Sequence, residues 1–143
     1  MNRLTEILAE KGDVVLRVDA DSSVLNAVRR MVDFNVGSLL VTDDGRDIGI
    51  VTERDYLRRV TLEGRDERET PVREIMSAPL VVVTPATSLE ECMALMTERC
   101  IRHLPVLDGA TVVGVVSIGD VVKYQSRAQS FELRYLHDYI NAR

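Results

Sequence analysis

The chain is short of the features that mark the most easily read classes of protein. Among its 143 residues no apolar run approaches the roughly 20 needed to span a bilayer. Residues 1–12, MNRLTEILAEKG, lack the apolar core of a signal peptide and read instead as a short amphipathic helix stopped by Gly12. A cytoplasmic protein with no membrane partner is the expectation. Basic charge is scarce too: 18 Lys and Arg against 23 Asp and Glu leave a formal net charge of −5. That gives no basic face for general nucleic-acid binding, whose affinity comes mainly from neutralised phosphates, so no nucleic-acid partner is expected. A small anionic ligand remains compatible where positive groups gather locally. There are 2 cysteines, Cys92 and Cys100. They fall in one expected helix, and at about 1.5 Å per residue they stand too far apart along its axis for a disulfide. Cys92, at a core-facing position, reads as a small buried apolar residue, with a redox or metal role as the alternative. No metal-site pattern and no P-loop are present, and Gly109, Gly114 and Gly119 miss the G-x-G-x-x-G spacing of a dinucleotide fingerprint. Neither His103 nor His137 has a nucleophile or an orienting carboxylate beside it in sequence, so the chain is not expected to be an enzyme.

What is present is a repeat. Residues Val18 to Tyr56 lie over Val83 to Val121 at a constant offset of 65 without a gap, with nine identities: Val18/Val83, Ser23/Ser88, Met31/Met96, Leu39/Leu104, Val41/Val106, Asp43/Asp108, Gly49/Gly114, Val51/Val116 and Asp55/Asp120. At about one domain's worth of chain, the two copies should share a core. With 45% apolar residues and mixed charges, the class is soluble and globular.

Each copy begins with a β-branched run, Val14 to Val18 and Leu80 to Val83, followed by a polar turn and a helix. Val24, Ala27, Val28 and Met31 form the apolar stripe of the first helix; Leu89, Cys92, Met93, Met96 and Cys100 form that of the second, with Thr87 and Glu90 at capping-box spacing. Two strands follow, Gly37 to Thr42 with Asp47 to Val51 and Arg102 to Leu107 with Thr111 to Val116. They are separated by Asp43-Asp44-Gly45-Arg46 and Asp108-Gly109-Ala110, and Asp-Gly between apolar runs signals a hairpin. A second helix starts at each shared G-x-x-[S/T]-x-x-D ending. The order is β-α-β-β-α in each repeat, an α/β (α+β) chain. Residues 1–65 hold repeat 1 with the N-terminal helix, 66–126 repeat 2, and 127–143 a C-terminal amphipathic helix with Phe131, Tyr135, Leu136, Tyr139 and Ile140 on its apolar face. The charged stretch Leu62 to Thr70 reads as the connection between repeats. His137 reads as surface.

Thr52-x-x-Asp55 and Ser117-x-x-Asp120 have the chemistry of helix N-caps, the hydroxyl accepting a backbone N–H and the carboxylate favoured by the helix dipole. Recurrence after a glycine-led strand in both copies suggests more. An ionised Asp can accept two neighbouring ribose hydroxyls while a helix N-terminus faces phosphate. Arg54, Arg58 and Arg59 could meet phosphate or a partner, or be ordinary solvated charge.

The tandem copies, their element order and the two motif endings together resemble the CBS domain pair, also called a Bateman module, over essentially the whole chain. Asn35 to Val41, Thr52 to Arg58 and Ile101 to Val106 look like the stand-alone CBS-pair proteins of bacteria and their plant organellar relatives. The resemblance implies two pseudo-symmetric repeats packed through their sheets and a homodimer forming a flat CBS disc. It implies a regulatory ligand of the adenosine class (AMP, ADP, ATP, NAD or S-adenosylmethionine) with no catalytic cofactor. It also implies two clefts, each taking its Asp from one repeat and its base-contacting segment from the other. Site A would then hold Thr52, Arg54 and Asp55, with Ser77, Ala78, Pro79 and Leu80 at the adenine, Arg102 and His103 near the phosphate, and Pro105. Site B would hold Ser117, Ile118 and Asp120 with Asp13, Val14, Val15, Gly37 and Ser38. Because Gly37-Ser38 stands where the other copy has Arg102-His103, site A should be the better phosphate site. With almost no chain outside the module, the expectation is a nucleotide sensor acting on an unidentified protein target in trans. The alternative is a ligand-independent scaffold, for example for a thioredoxin-type redox protein.

Overall fold

A computed structural model describes residues 4–12 and 14–127. Asp13 and the expected C-terminal helix with Phe131, Tyr135, Leu136, His137, Tyr139 and Ile140 lie outside the described residues. The chain forms two compact units, one of residues 14–81 and the other of the described parts of 1–13 and 82–143. The units therefore do not coincide with consecutive halves of the sequence. The N-terminal helix belongs to the unit of the second copy, and residues 66–81 belong to the unit of the first.

In the first unit β1 (Arg17–Asp19) pairs parallel with β2 (Ser38–Asp43), which pairs antiparallel with β3 (Arg46–Thr52). Between β1 and β2 runs α1 (Val24–Phe34), capped by the Ser23 hydroxyl, which accepts from the Asn26 N–H, and stopped by Asn35 in the left-handed region. The hairpin is a two-residue loop with both Asp44 and Gly45 at positive φ, as a type I′ turn requires. β3 runs into α2 (Glu53–Tyr56), which continues as a π-helical turn over Leu57–Thr61. Val18, Val24, Ala27, Met31, Leu39, Val41 and Val51 are buried together with Val72 and Ile75, and partly buried Val28 packs against them, so the expected stripe of the first helix faces the core of this unit.

The second unit repeats this frame. α3 (Leu89–Arg99) is followed by the antiparallel pair β4 (His103–Asp108) and β5 (Thr111–Ser117) and by a helix through residues 118–127. The ladder irregularity at Val41/Thr42 recurs at Val106/Leu107, and the left-handed helix stop at Asn35 recurs at Cys100. Three local expectations need correction. The cap of α3 is Ser88, accepting from the Glu91 N–H, because Thr87 instead accepts from the Thr84 N–H one turn earlier. Cys100 is the exposed stop of that helix, not part of its apolar face. The runs from Val14 and from Leu80 are only in part strands. Val14 is 78% exposed, since by register it would face a residue ahead of β2. Of Leu80 to Val83 only Val83 makes a bridge, to Val106, at the same offset as Val18 to Val41.

Each strand that ends in a motif is closely approached at its glycine. A Cβ on Gly49 would come within 2.8 Å of both Met76 Sδ and the Ser77 carbonyl oxygen. A Cβ on Gly114 would come within 2.5 Å of Leu8 Cδ2, on the N-terminal helix Leu4–Lys11. Backbone cannot swing away, whereas the end of a leucine can. Gly49→Ala should therefore lower the urea midpoint by the equivalent of about 1–3 kcal/mol, the range for overpacking, and Gly114→Ala by clearly less. Equal losses in urea denaturation would contradict this account.

Candidate functional site

Both motifs are built as strand-to-helix corners. At the first, the Thr52 hydroxyl accepts from the Asp55 N–H at 3.2 Å while the Thr52 N–H donates to Asp55 Oδ2 at 2.9 Å, a reciprocal capping box. At the second, the Ser117 hydroxyl accepts from the Asp120 N–H at 3.1 Å and the Ser117 N–H donates to Asp120 Oδ2 at 2.8 Å. Each carboxylate is thus held at the start of a helix, one oxygen engaged with the cap.

Beyond the corner the two diverge. Asp55 is only 9% exposed, and its other partner is the Ser77 hydroxyl, donating to Oδ1 at 3.4 Å. Arg59 donates to the carbonyls of Ile75 and Met76 at 3.0 Å each, fastening the segment that carries Ser77. Burial raises the Asp55 pKa above the ordinary carboxylate value, against the opposing pull of the Thr52 N–H, Arg59, and the Thr52 and Ser77 hydroxyls. For Asp120 burial also pushes upward, but the Lys11 ammonium, donating to Oδ2 at 2.7 Å, and the Ser117 N–H outweigh it, so its pKa lies below the ordinary value.

A CBS domain model matches residues 12–61 and again 72–127. The chain belongs to the CBS domain family. It is 38% identical over 146 residues to the mitochondrial CBS domain-containing protein CBSX3 of Arabidopsis thaliana, covering 96% of this chain and 71% of that protein. It is 38% identical over 116 residues to the CBS domain-containing protein YhcV of Bacillus subtilis, covering 81% of this chain and 82% of that one. A solved structure of a protein with CBS domains from Burkholderia ambifaria superposes with a TM-score of 0.80 at 46% identity, over 83% of this chain and 90% of that one. CBS domain pairs are regulatory modules that bind adenosine ligands, and proteins of this kind are regulatory rather than catalytic. Among the described residues no group of His, Cys, Asp and Glu could hold a metal ion, and no helix is long and apolar enough to cross a membrane.

The CBS frame places the remaining sequence candidates as follows. With Thr52, Asp55 and Ser77 in the first unit lie half-buried Arg54, the exposed Ala78-Pro79 with its cis peptide bond, and Leu80. Gly37 and Ser38 are in the same unit: the Gly37 carbonyl accepts the Glu53 N–H, and Ser38 pairs with Thr52 across the hairpin. Val14 and Val15 precede β1 there. Arg102, His103 and Pro105 belong to the second unit. His103 pairs with Ser117, the Arg102 carbonyl accepts the Ile118 N–H, and Pro105 is buried in β4. Burial, with Lys11 and Arg102 adding repulsion and Asp120 opposing, lowers the His103 pKa from 6.5 to about 4. Its imidazole is therefore neutral at pH 7 and supplies no charge for a phosphate. Lys11 was not legible as a site residue. Its only signal is that the 65-residue offset runs on upstream, setting Lys11 against Met76 and Gly12 against Ser77.

The two carboxylates should respond oppositely to neutralisation. A carboxyl whose pKa is raised on folding destabilises the fold when ionised, above its unfolded pKa. One whose pKa is lowered contributes stability that is lost as pH falls through its folded pKa. At pH 7 Asp55→Asn, which keeps an acceptor for the Thr52 N–H, should leave the thermal midpoint unchanged or raise it, and Asp120→Asn should lower it. At a pH below both carboxyl pKa values the penalty for Asp120→Asn should vanish. Melts of both variants at the two pH values test the assignment, and a loss for Asp55→Asn as large as that for Asp120→Asn would refute it.

Proposed function

We propose that this protein is an adenine-nucleotide sensor, with AMP foremost and ATP, ADP and NAD in the same class, that passes its ligand state to a partner protein in trans. The observation that carries this reading is the Asp55 corner. A nearly buried carboxylate is held by a capping box, raised in pKa by burial and, among the described residues, hydrogen-bonded only to uncharged donors from Thr52 and Ser77. Such a group gains from new donors, and a ribose brings two neighbouring hydroxyls. Thr52 and Asp55 would take the ribose and Ser77 to Leu80 the adenine. Arg54 would take the phosphate. Ser117, Ile118 and Asp120 in the other unit are proposed for a second, less favoured site.

A thermal-shift screen against AMP, ADP, ATP, NAD and S-adenosylmethionine tests this, because a ligand at about 100 times its Kd stabilises the folded state by about 2.7 kcal/mol. A selective upward shift, abolished in Asp55→Ala, is the expected result. A flat response to every ligand would overturn the sensor reading and leave the scaffold, with a thioredoxin-type redox protein as the partner to try.

The same reading includes a homodimer. Its support is a mainly apolar groove of about 430 Å³ lined by Val28, Met31 and Val32 of α1, Asn35 and Val36 just after it, Glu53 and Tyr56 of α2, and Leu57 of the turn that follows, with Val32 72%, Phe34 53% and Leu57 54% exposed around it. Larger apolar patches on soluble chains mark interaction surfaces. In light-scattering measurements the wild type should have twice the chain mass and Val32→Glu/Leu57→Glu the single-chain mass. A wild-type monomer would remove the dimer from the proposal.

A further inference from the structure

In the first unit one residue fills two acceptors beside the motif. The Ser77 N–H donates to the Ile50 carbonyl at 2.8 Å, and its hydroxyl to Asp55 Oδ1 at 3.4 Å. At the 65-residue offset Ile50 corresponds to Val115 and Asp55 to Asp120, while Ser77 corresponds to Gly12, which has no side chain. In the second unit a single group serves the corresponding carbonyl and the corresponding carboxylate, here on the oxygen that also accepts the Ser117 N–H. The Lys11 ammonium lies 2.6 Å from the Val115 carbonyl and 2.7 Å from Asp120 Oδ2. We propose that Lys11 is a built-in occupant of the Asp120 motif, which keeps a nucleotide's ribose off that carboxylate and leaves the Asp55 motif as the one open to ligand. This rests on the nucleotide-sensor reading above.

The chemistry of the carboxylate explains the exclusion. The two corners differ in the charge of their donors: among the described residues Asp55 accepts only from the uncharged Thr52 N–H, Thr52 hydroxyl and Ser77 hydroxyl, whereas Asp120 Oδ2 accepts from the Ser117 N–H and from the Lys11 ammonium. A charge-assisted hydrogen bond is roughly twice as strong as a neutral one, so a ribose hydroxyl does not displace the ammonium on equal terms. The lysine is positioned by the rest of its helix. Leu4 and Ile7 are buried, Leu8 lies over Gly114, Arg127 donates to both oxygens of Glu10 at 3.0 and 3.1 Å, and the Tyr124 hydroxyl donates to Glu6. A helix of 8 residues is marginal by itself in water, so these contacts, rather than intrinsic propensity, deliver Lys11 to the motif. The side chains of Lys11 and Asp120 remain 40% and 24% exposed, and a cavity of about 130 Å³ opens beside them, lined also by Lys123 and Arg127. Removing the charge on Lys11 therefore does not unpack a core.

Isothermal titration of AMP and of ATP into the full chain tests the inference, using wild type, Lys11→Met, Lys11→Gln, Lys11→Arg and Lys11→Met/Asp120→Ala. Lys11→Met and Lys11→Gln should gain a second binding event, or bind at the Asp120 motif at least tenfold more tightly than wild type. Lys11→Arg, which keeps a cation on the carboxylate, should not. The gain should disappear in Lys11→Met/Asp120→Ala. Neutral variants that titrate like wild type, bind more weakly, or keep the gain without Asp120 would overturn the proposal. The sensor reading fails separately. A silent wild type with a binding Lys11→Met would sink the assignment of Asp55 and uphold that of Lys11. Wild-type binding lost in Asp55→Ala, with no gain in either neutral variant, would do the reverse. Silence in all chains would overturn both.

Discussion

The reciprocal bond between a strand-end hydroxyl residue and the aspartate three residues on is the constraint around which each unit is organised. It ends β3 at Thr52 and β5 at Ser117, begins the following helix, and fixes one oxygen of each carboxylate. A side-chain cap of this kind stabilises a helix start by about 0.5–2 kcal/mol, enough to set where the chain turns. Its second consequence is chemical. With one carboxylate oxygen committed to the corner, whatever supplies donors to the remaining acceptor positions decides what the site can do.

Those donors come from a different place in each copy. The first unit draws on Ser77, a neutral residue fastened by Arg59 through the Ile75 and Met76 carbonyls. The second draws on Lys11 from a helix that has no counterpart of the same length in the first, where Val72–Glu74 forms only a short 3-10 turn. One frame thus carries two electrostatic states, a carboxyl with raised pKa at Asp55 and one with lowered pKa at Asp120. His103, neutral beside Lys11 and Arg102, belongs with the second. Duplication supplied the geometry, and divergence of the leading segments made the two corners unequal.

Much of the fold was legible because it is local. Val24, Ala27 and Met31 recur at helical spacing, Asp44-Gly45 permits the positive φ of a tight hairpin, and Ser23 and Ser88 stand where caps belong. The misreadings were also local competitions. Thr87 and Ser88 are both good caps, and only the bond from the Thr84 N–H shows that Thr87 is already engaged. Val14 and the run from Leu80 have strand composition, but a strand also needs a neighbour, and of these two leading runs only Arg17–Asp19 and Val83 pair with β2 and β4. Cys100 has helical spacing and yet lies at a positive φ that ends the helix. At the two corners of the candidate site, the pairing of Thr52 with Asp55 and of Ser117 with Asp120 was legible from their recurrence, and Ser77 was proposed from the family resemblance. Lys11 was not legible, since its partner is 109 residues away.

By itself the sequence determined the duplication, the elements of each copy, and the two strand-to-helix corners with their carboxylates, because all of these depend on residues within a few positions of one another repeated at one offset. Only the tertiary structure decided which leading segment each corner receives, and therefore which charge stands against each aspartate. Segment docking is settled by long-range fit: Met76 and Ser77 against Gly49, and Leu8 against Gly114. Side-chain electrostatics at a partly buried carboxylate follow from whichever group that fit delivers within about 3 Å.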